Sequence, residues 1–391
     1  MDPVRNPYSP GAGAAPPALV GRGRELEIFD VAVQRLGLGR PARSVLLTGL
    51  RGVGKTVLLS EFGRIAAGAG WIHQTYEARE NTDFPSSAAT LARKTLLRLS
   101  AGRRLAETMS RALGVLGAFQ LRWQTGAGDL SLGVEPAVGS ADSGDPEEDL
   151  TDLFVAVAVA ARDRGVGVFY AIDELQHLPR QSLAALIVAL HRVGQQQLPL
   201  LVAGAGLPSL PGLAGQAKSY AERLFVFREI NSLPPEQVAE ALVVPAEAEG
   251  VTWQQPALDH VVQTTKGYPY FVQEYGKQSW DVAGGPATIT ADDVRAAAPV
   301  AAEELDSGFF RARLDRSTSA ERRYLAAMAS LGGGPHRSAD VAAAMGRTTA
   351  GAGSVRDALI KRGICHSPRR GYVAFTVPMF EDFIGRRETA G

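Results

Sequence analysis

The octapeptide Gly49-Leu50-Arg51-Gly52-Val53-Gly54-Lys55-Thr56 limits what this chain can fold into more than any other stretch. It fits G-x-x-x-x-G-K-[ST], the phosphate-binding loop. Val45-Leu46-Leu47 before it reads as a short buried strand, and Val57 to Phe62 after it is helical in period. Strand, glycine-rich turn and helix are what the chemistry requires. Glycines let successive backbone N–H groups curl around a phosphate, and the helix N-terminus adds partial positive charge at the same point. On this reading Gly49, Gly52, Val53, Gly54, Lys55, Thr56 and Val57 cradle a nucleotide. Lys55 reaches the β- and γ-phosphates, and Thr56 holds Mg2+.

With 391 residues the chain exceeds one small domain, and 45% hydrophobic residues are ample for real cores. Its single cysteine, Cys365, excludes an internal disulfide framework and fits a reducing compartment. No apolar run approaches a membrane span, since Phe154 to Ala161 is too short. Residues 1–18 lack the apolar core of a signal peptide and read as a disordered Pro/Gly/Ala tail. The expectation is a soluble, cytoplasmic protein with no membrane partner. Net charge is zero but unevenly spread. From Arg311 onward, 14 Lys and Arg stand against 7 Asp and Glu, and the remainder carries the opposite surplus. A basic end beside an acidic remainder suggests an anionic partner such as nucleic acid, the plainer alternative being a solvated surface.

Leu26, Phe29, Val33 and Leu36 set the period of a first helix. After the phosphate loop, strands are expected at Trp71 to Tyr76, Val166 to Ile172 and Leu198 to Ala205. Helices are expected at Ser86 to Leu99, Leu105 to Leu116, Leu150 to Arg164 and Leu183 to Gly194. Strands that alternate with helices imply an α/β fold with a parallel sheet covered on both faces. Phe119 to Trp123 and Leu130 to Val134 alternate around a Thr-Gly-Ala-Gly turn and read as a β-hairpin. Pro136 to Glu148 reads as an exposed loop. From Pro234 the strand signal gives way to short helices. Near the C-terminus, Ala339 to Met345 and Ser354 to Arg362 precede two short strands, Ile364 to Ser367 and Gly371 to Val377, which is the winged-helix order. The expected division is a tail over 1–18, an α/β domain over 19–232, a helical lid over 233–300 and a winged helix over 301–391.

Val168-Phe169-Tyr170-Ala171-Ile172-Asp173-Glu174 is an apolar strand that ends in two carboxylates, the Walker B pattern. Such a strand delivers Asp173 beside the phosphate loop, where it can hold Mg2+, and Glu174 where it can orient or activate an attacking water. Leu200 to Pro208 supplies the next strand and its exit, with no polar side chain where a γ-phosphate sensor would stand. His177 and His191 lack companions at zinc spacing and read as structural or polar-contact residues.

Val20-Gly21-Arg22, the phosphate loop, the Asp173-Glu174 strand, Gly204 to Pro208, Tyr220 to Phe225 and Gly267-Tyr268-Pro269 follow the order of an AAA+ ATPase. The chain resembles the origin-recognition-like branch of that family and the related archaeal-type ATPases of the signal-transducing P-loop class. The resemblance spans about residues 19–300, with a winged helix behind it. It implies that Val20, Gly21 and Arg22 pack around adenine, that Pro269 lies near the base, and that Arg223 reaches a γ-phosphate, commonly on a neighbouring subunit. The plainer readings are a proline that opens a helix, and an arginine paired with Glu222 or Glu229 or simply solvated. Two departures stand out: Gly204 to Gly206 lacks the usual polar sensor, and no arginine follows Gly267 where many AAA+ proteins carry their second sensor, the next base along the chain being Lys277. Both argue for a slow switch rather than fast, ring-style hydrolysis.

The expected function is therefore binding and slow hydrolysis of ATP to ADP with Mg2+, with nucleotide state controlling engagement of DNA or a regulatory protein, and with nucleotide-dependent self-association open. Arg356 and Lys361 on the second helix of the basic end, and Arg369 and Arg370 at its wing tip, are the candidate DNA contacts. The alternative is a non-catalytic DNA-binding regulator in which ATP or ADP is structural. A small-molecule phosphotransferase is disfavoured, because nothing in the helical half resembles an acceptor pocket.

Overall fold

Val45, Leu46 and Leu47 do form a strand buried on both faces, β1 (Ser44–Thr48), and a parallel sheet is assembled around it. The computed structural model describes residues 1–11, 13–80, 83–101, 107–123, 135–285 and 287–389. These divide into two compact units. A sheet unit comprises Arg22–Gly49 and Lys55–Ile230, and a helical unit comprises Met1–Gly21, Leu50–Gly54 and Asn231–Gly391.

In the sheet unit, α1 (Gly23–Gly37) precedes β1, and α2 (Lys55–Gly68) follows the phosphate loop. Then come β2 (Ile72–Glu77), α3 (Phe84–Ser100), α4 (Glu107–Trp123), α5 (Pro146–Asp163), β3 (Val168–Asp173), α6 (Arg180–Gln195), β4 (Leu200–Gly206), α7 (Leu210–Ala217), α8 (Ala221–Leu224) and β5 (Phe225–Glu229). The strand order is β2-β3-β4-β1-β5, and every pairing is parallel. A parallel sheet needs cover on both faces, and β3 shows how the sequence provides it. Val168, Tyr170 and Ile172 join a core built from α3, α4, α5 and α6. Phe169, one residue out of step, meets Phe29 of α1 at 4.7 Å, and Phe29 stacks on Phe62 of α2 at 4.2 Å. Because all strands run the same way, their carboxyl ends share one edge, where ligands of such sheets bind.

Two expectations fail here. Phe119 to Trp123 is the last turn and a half of α4, not a strand, and Leu130 to Val134 lies outside the described residues. Met109, Leu113, Leu116 and Phe119 are all buried at helical spacing. Over five residues, local alternation could not outweigh that longer apolar stripe. The second miss is β5, whose short alternation Phe225-Val226-Phe227 escaped notice although it pairs with β1 along its whole length.

The helical unit contains α9 (Pro235–Ala248), β6 (Thr252–Trp253), α10 (Gln255–Thr265), α11 (Pro269–Val282), β7 (Thr288–Ile289) and α12 (Ala291–Glu304). A π-helical stretch, Leu305–Phe310, carries the chain into α13 (Arg311–Asp315). After it come α14 (Ser319–Ser330), β8 (His336–Arg337), α15 (Ser338–Ala344), α16 (Thr349–Lys361), β9 (Cys365–His366), β10 (Tyr372–Phe375) and α17 (Phe380–Thr389). Capping boxes at Thr290/Asp293 and Thr318/Glu321 start α12 and α14. Strands β8, β10 and β9 form a small antiparallel sheet in that order, one strand more than expected.

The N-terminal segment is also unlike its expectation, since residues 1–11 are anchored on this unit rather than disordered. The Met1 ammonium donates to the Ala283 carbonyl at 2.8 Å, and Asn6 donates to the Lys277 carbonyl and to Asp281. Tyr8 is 4% exposed, edge-on to Trp253 and Trp280. Its hydroxyl donates to the Leu242 carbonyl at 2.5 Å and accepts from Trp253 Nε1 at 2.8 Å. Composition marks the segment as too polar to fold alone, but one aromatic anchor and a few main-chain contacts hold it on a preformed surface. Truncation of a buried aromatic costs about 3 kcal/mol or more. Tyr8→Ala should therefore lower the denaturant midpoint of this unit, followed by the fluorescence of Trp253 and Trp280. An unchanged midpoint would mean that the segment contributes nothing to stability.

Candidate functional site

Strand β1 and strand β3 are not neighbours; β4 lies between them. The phosphate loop leaves the carboxyl end of β1, and the acidic pair leaves the carboxyl end of β3, so the two motifs face each other across the exit of β4. The decisive contact is direct. The Thr56 hydroxyl donates to Asp173 Oδ2 at 2.6 Å. A hydroxyl and a carboxylate this close can share one hard cation such as Mg2+. Among the described residues, no cluster of three His, Cys, Asp or Glu could hold a metal by itself. The two groups therefore suit an ion completed by phosphate oxygens and water.

The first turn of α2 positions Lys55, which is only 7% exposed, and its ammonium donates to the Gly49 carbonyl at 3.0 Å. Gly52 and Gly54 adopt φ of 83° and 96°, a region that side-chain-bearing residues rarely enter. At Gly54 a Cβ would meet nothing within 4 Å, so there the constraint is conformational. At Gly52 space is the second constraint, since a Cβ would stand 2.8 Å from the Tyr268 hydroxyl. Tyr268 and Gly52 belong to the same helical unit. Burial pushes the Tyr268 hydroxyl well above its usual pKa, and the charges of Arg313 and Arg51 offset part of that. The sequence reading singled out Pro269, which opens α11 as its first residue, whereas Tyr268 before it is the residue that meets the loop.

Asp173 closes β3 at 8% exposure. Its Oδ1 accepts the Glu174 N–H at 2.8 Å. Glu174 is left-handed at φ 53°, strained for a residue other than glycine, asparagine or aspartate. The strain turns the chain sharply, so that consecutive carboxylates leave the strand in different directions. Gln176 donates from Nε2 to Glu174 Oε2, and His177 Nε2 stands 3.8 Å from the same oxygen. His191 instead lies against the Tyr220 ring at 4.8 Å. His191 also meets Gln195 Nε2 at 3.4 Å.

The remaining candidates are distributed as follows. Val20 is buried, and a Cβ at Gly21 would collide with Gln237. Arg22 is buried in the sheet unit, and burial pulls its pKa below the usual value while Glu25 partly offsets that. Val53 and Val57 are buried in the loop and in the first turn of α2. Arg223 is exposed on α8 and, among the described residues, pairs with neither Glu222 nor Glu229 within 4.0 Å. Arg356 is held by Asp357 at 2.8 Å and points toward Ser338 Oγ at 3.4 Å. Arg369 lies over the Tyr372 ring at 3.8 Å, and Lys361 and Arg370 are exposed. Gln176 was missed altogether. It carries no motif signal, being one polar residue in the short helical turn Leu175–His177.

Residues 18–203 match the model of the AAA ATPase domain. Residues 307–384 match that of a domain of unknown function, DUF8462. No curated protein matches the chain. Among solved structures, it is similar to the Walker-type ATPase PABY2304 of Pyrococcus abyssi, with 15% identity over 94% of this chain and 96% of that one and a TM-score of 0.56. It is also similar to Cdc6p from Pyrobaculum aerophilum, at 14% identity over 100% and 98% with a TM-score of 0.48. For the Aeropyrum pernix Orc1 protein, solved in complex with DNA, the values are 14% identity, 95% and 94% coverage and a TM-score of 0.47. At such identities likeness speaks to fold alone. The first of the three, with the strand order and the loop geometry, makes the sheet unit a P-loop NTPase fold. Among the described residues, no helix is long and apolar enough to cross a membrane.

Proposed function

We propose that the chain binds Mg-ATP and hydrolyses it slowly, as an AAA+ ATPase of the origin-recognition-like type, and that its nucleotide state governs engagement of DNA or a protein partner. The observation that carries this reading is the 2.6 Å contact between Thr56 and Asp173, which joins the two motifs in one site. Lys55 leaves the Gly49 carbonyl to meet the β- and γ-phosphates, and the backbone N–H groups of Gly52 to Thr56 cradle them. Thr56 and Asp173 hold Mg2+, which neutralises phosphate charge when bound. Glu174 orients the attacking water and takes its proton. Val20, Gly21, Arg22 and Pro269 are assigned to the base, and Arg223, exposed on α8, to the γ-phosphate of a second copy. Release of phosphate from Mg-ATP by the purified protein, with and without duplex DNA, tests the reading. Retained nucleotide with no release would favour the alternative of a regulator with structural nucleotide, a reading that the glycines at the exit of β4 support.

The C-terminal helices α14, α15 and α16 with the β8-β10-β9 sheet are read as a winged helix, cytoplasmic in setting, with DNA as the partner its charge favours. Of the four candidate contacts, Lys361 and Arg370 are exposed to solvent, Arg369 is presented on an aromatic platform, and Arg356 must first leave Asp357. Replacing both Arg369 and Arg370 by alanine should weaken duplex binding for all sequences alike and reduce the salt slope by roughly two. Fluorescence anisotropy across a salt series measures it. No binding by the parent at low salt in any nucleotide state removes DNA from the reading.

A further inference from the structure

The exit of β4, Gly204 to Gly206, offers no polar side chain of its own, yet the space beside it contains one. Gln176 reaches there from the turn after β3. Its Oε1 accepts the Leu207 N–H at 3.1 Å, and its Nε2 donates to Glu174 Oε2. A Cβ at Gly206 would stand 2.7 Å from that Oε1, so a glycine at 206 is what admits the amide.

The connection extends further through one peptide group. The Gly206 carbonyl accepts the Gly49 N–H at 3.2 Å, while the Leu207 N–H of the same peptide donates to Gln176. The Gly49 carbonyl in turn accepts the Lys55 ammonium at 3.0 Å. Hydrogen bonds thus run from Glu174 through Gln176 and the Gly206–Leu207 peptide to the N–H of Gly49, the residue whose carbonyl accepts from Lys55, all within the sheet unit. We propose that Gln176 is the positioning residue of the hydrolytic site: it fixes the Glu174 carboxylate against the exit of β4 and couples it to the first residue of the phosphate loop. The proposal rests on the ATPase reading above. Its physical basis is that a glutamate on a strained, solvent-facing turn has several rotamers, and a base must be held within hydrogen-bond reach of its water. An amide anchored on the backbone N–H just beyond β4 supplies that hold, and its donor is charge-assisted at the carboxylate.

The test separates positioning from packing. Gln176→Ala should lower kcat about tenfold, the worth of one hydrogen bond to a charged group, with KM and directly titrated nucleotide affinity unchanged. Gln176→Glu keeps the size and the acceptor but sets like charge against Glu174, and should be slower still. Gly206→Ala should reproduce the loss by displacing the amide. Combined with Glu174→Gln, Gln176→Ala should add no further loss, because both act through one carboxylate. Parent-like kcat in Gln176→Ala, or a fully additive loss in the double variant, overturns the proposal while Glu174→Gln still reports on the ATPase reading. If the parent itself shows no turnover, that reading falls. The strut is then judged by a double-mutant cycle in thermal unfolding, where coupling between positions 174 and 176 supports it and none overturns it.

Discussion

Lys55→Ala should bind neither ATP nor ADP at concentrations that saturate the parent. The lysine is the largest electrostatic contributor the site can offer, and its environment explains why. At 7% exposure the lysine is already largely stripped of water, and the Gly49 carbonyl accepts from its ammonium at 3.0 Å. Phosphate oxygens carry negative charge, so in the proposed complex they attract a desolvated ammonium strongly. Truncating one partner of a buried charged pair costs about 2–5 kcal/mol, which corresponds to roughly 30- to 5,000-fold in affinity. Folding should suffer little. The variant removes a buried charge and leaves Val57, Leu58 and Phe62, which are buried along α2, untouched. The measurement is calorimetric titration with both nucleotides, alongside the thermal midpoint of the unliganded protein. Parent-like affinity in a folded Lys55→Ala would mean that the loop holds its ligand by backbone alone or holds none.

How much of this could be read from residues depends on the range over which each signal acts. The phosphate loop and the acidic strand are local: eight residues dictate the φ angles of Gly52 and Gly54, and five apolar residues dictate β3. That they converge at Thr56 and Asp173 follows from parallel strands of one sheet, so the core of the site was legible. The failures are tertiary. Phe119 to Trp123 alternates in isolation and is helical only because Met109, Leu113 and Leu116 before it already face the core. Tyr8 is an aromatic in a proline-rich tail until Trp253 and Trp280 are placed around it. Gln176 has meaning only through Gly206, 30 residues away, whose missing Cβ makes room for it. The glycines of the β4 exit read correctly as the lack of a polar group on that strand. The sequence could not say that the next turn reaches across to supply one.

Glu174→Gln should separate binding from hydrolysis. The substitution leaves size and shape intact. Its remaining oxygen can still accept from Gln176, and the contact between Thr56 and Asp173 is not touched, so the proposed metal and phosphate contacts persist. The strained backbone at φ 53° is retained as well, because glutamine meets the same steric limits as glutamate. What disappears is the ability to take a proton from water. Positioned general bases contribute about 100- to 10,000-fold. Burst-free phosphate release under single-turnover conditions should therefore fall by at least about 100-fold, while calorimetry with ATP returns the parent affinity. This pattern also discriminates against a structural defect, which would weaken binding along with turnover. A variant that turns over at the parent rate would move the base elsewhere, and His177, 3.8 Å from the same carboxylate, would be the next residue to replace.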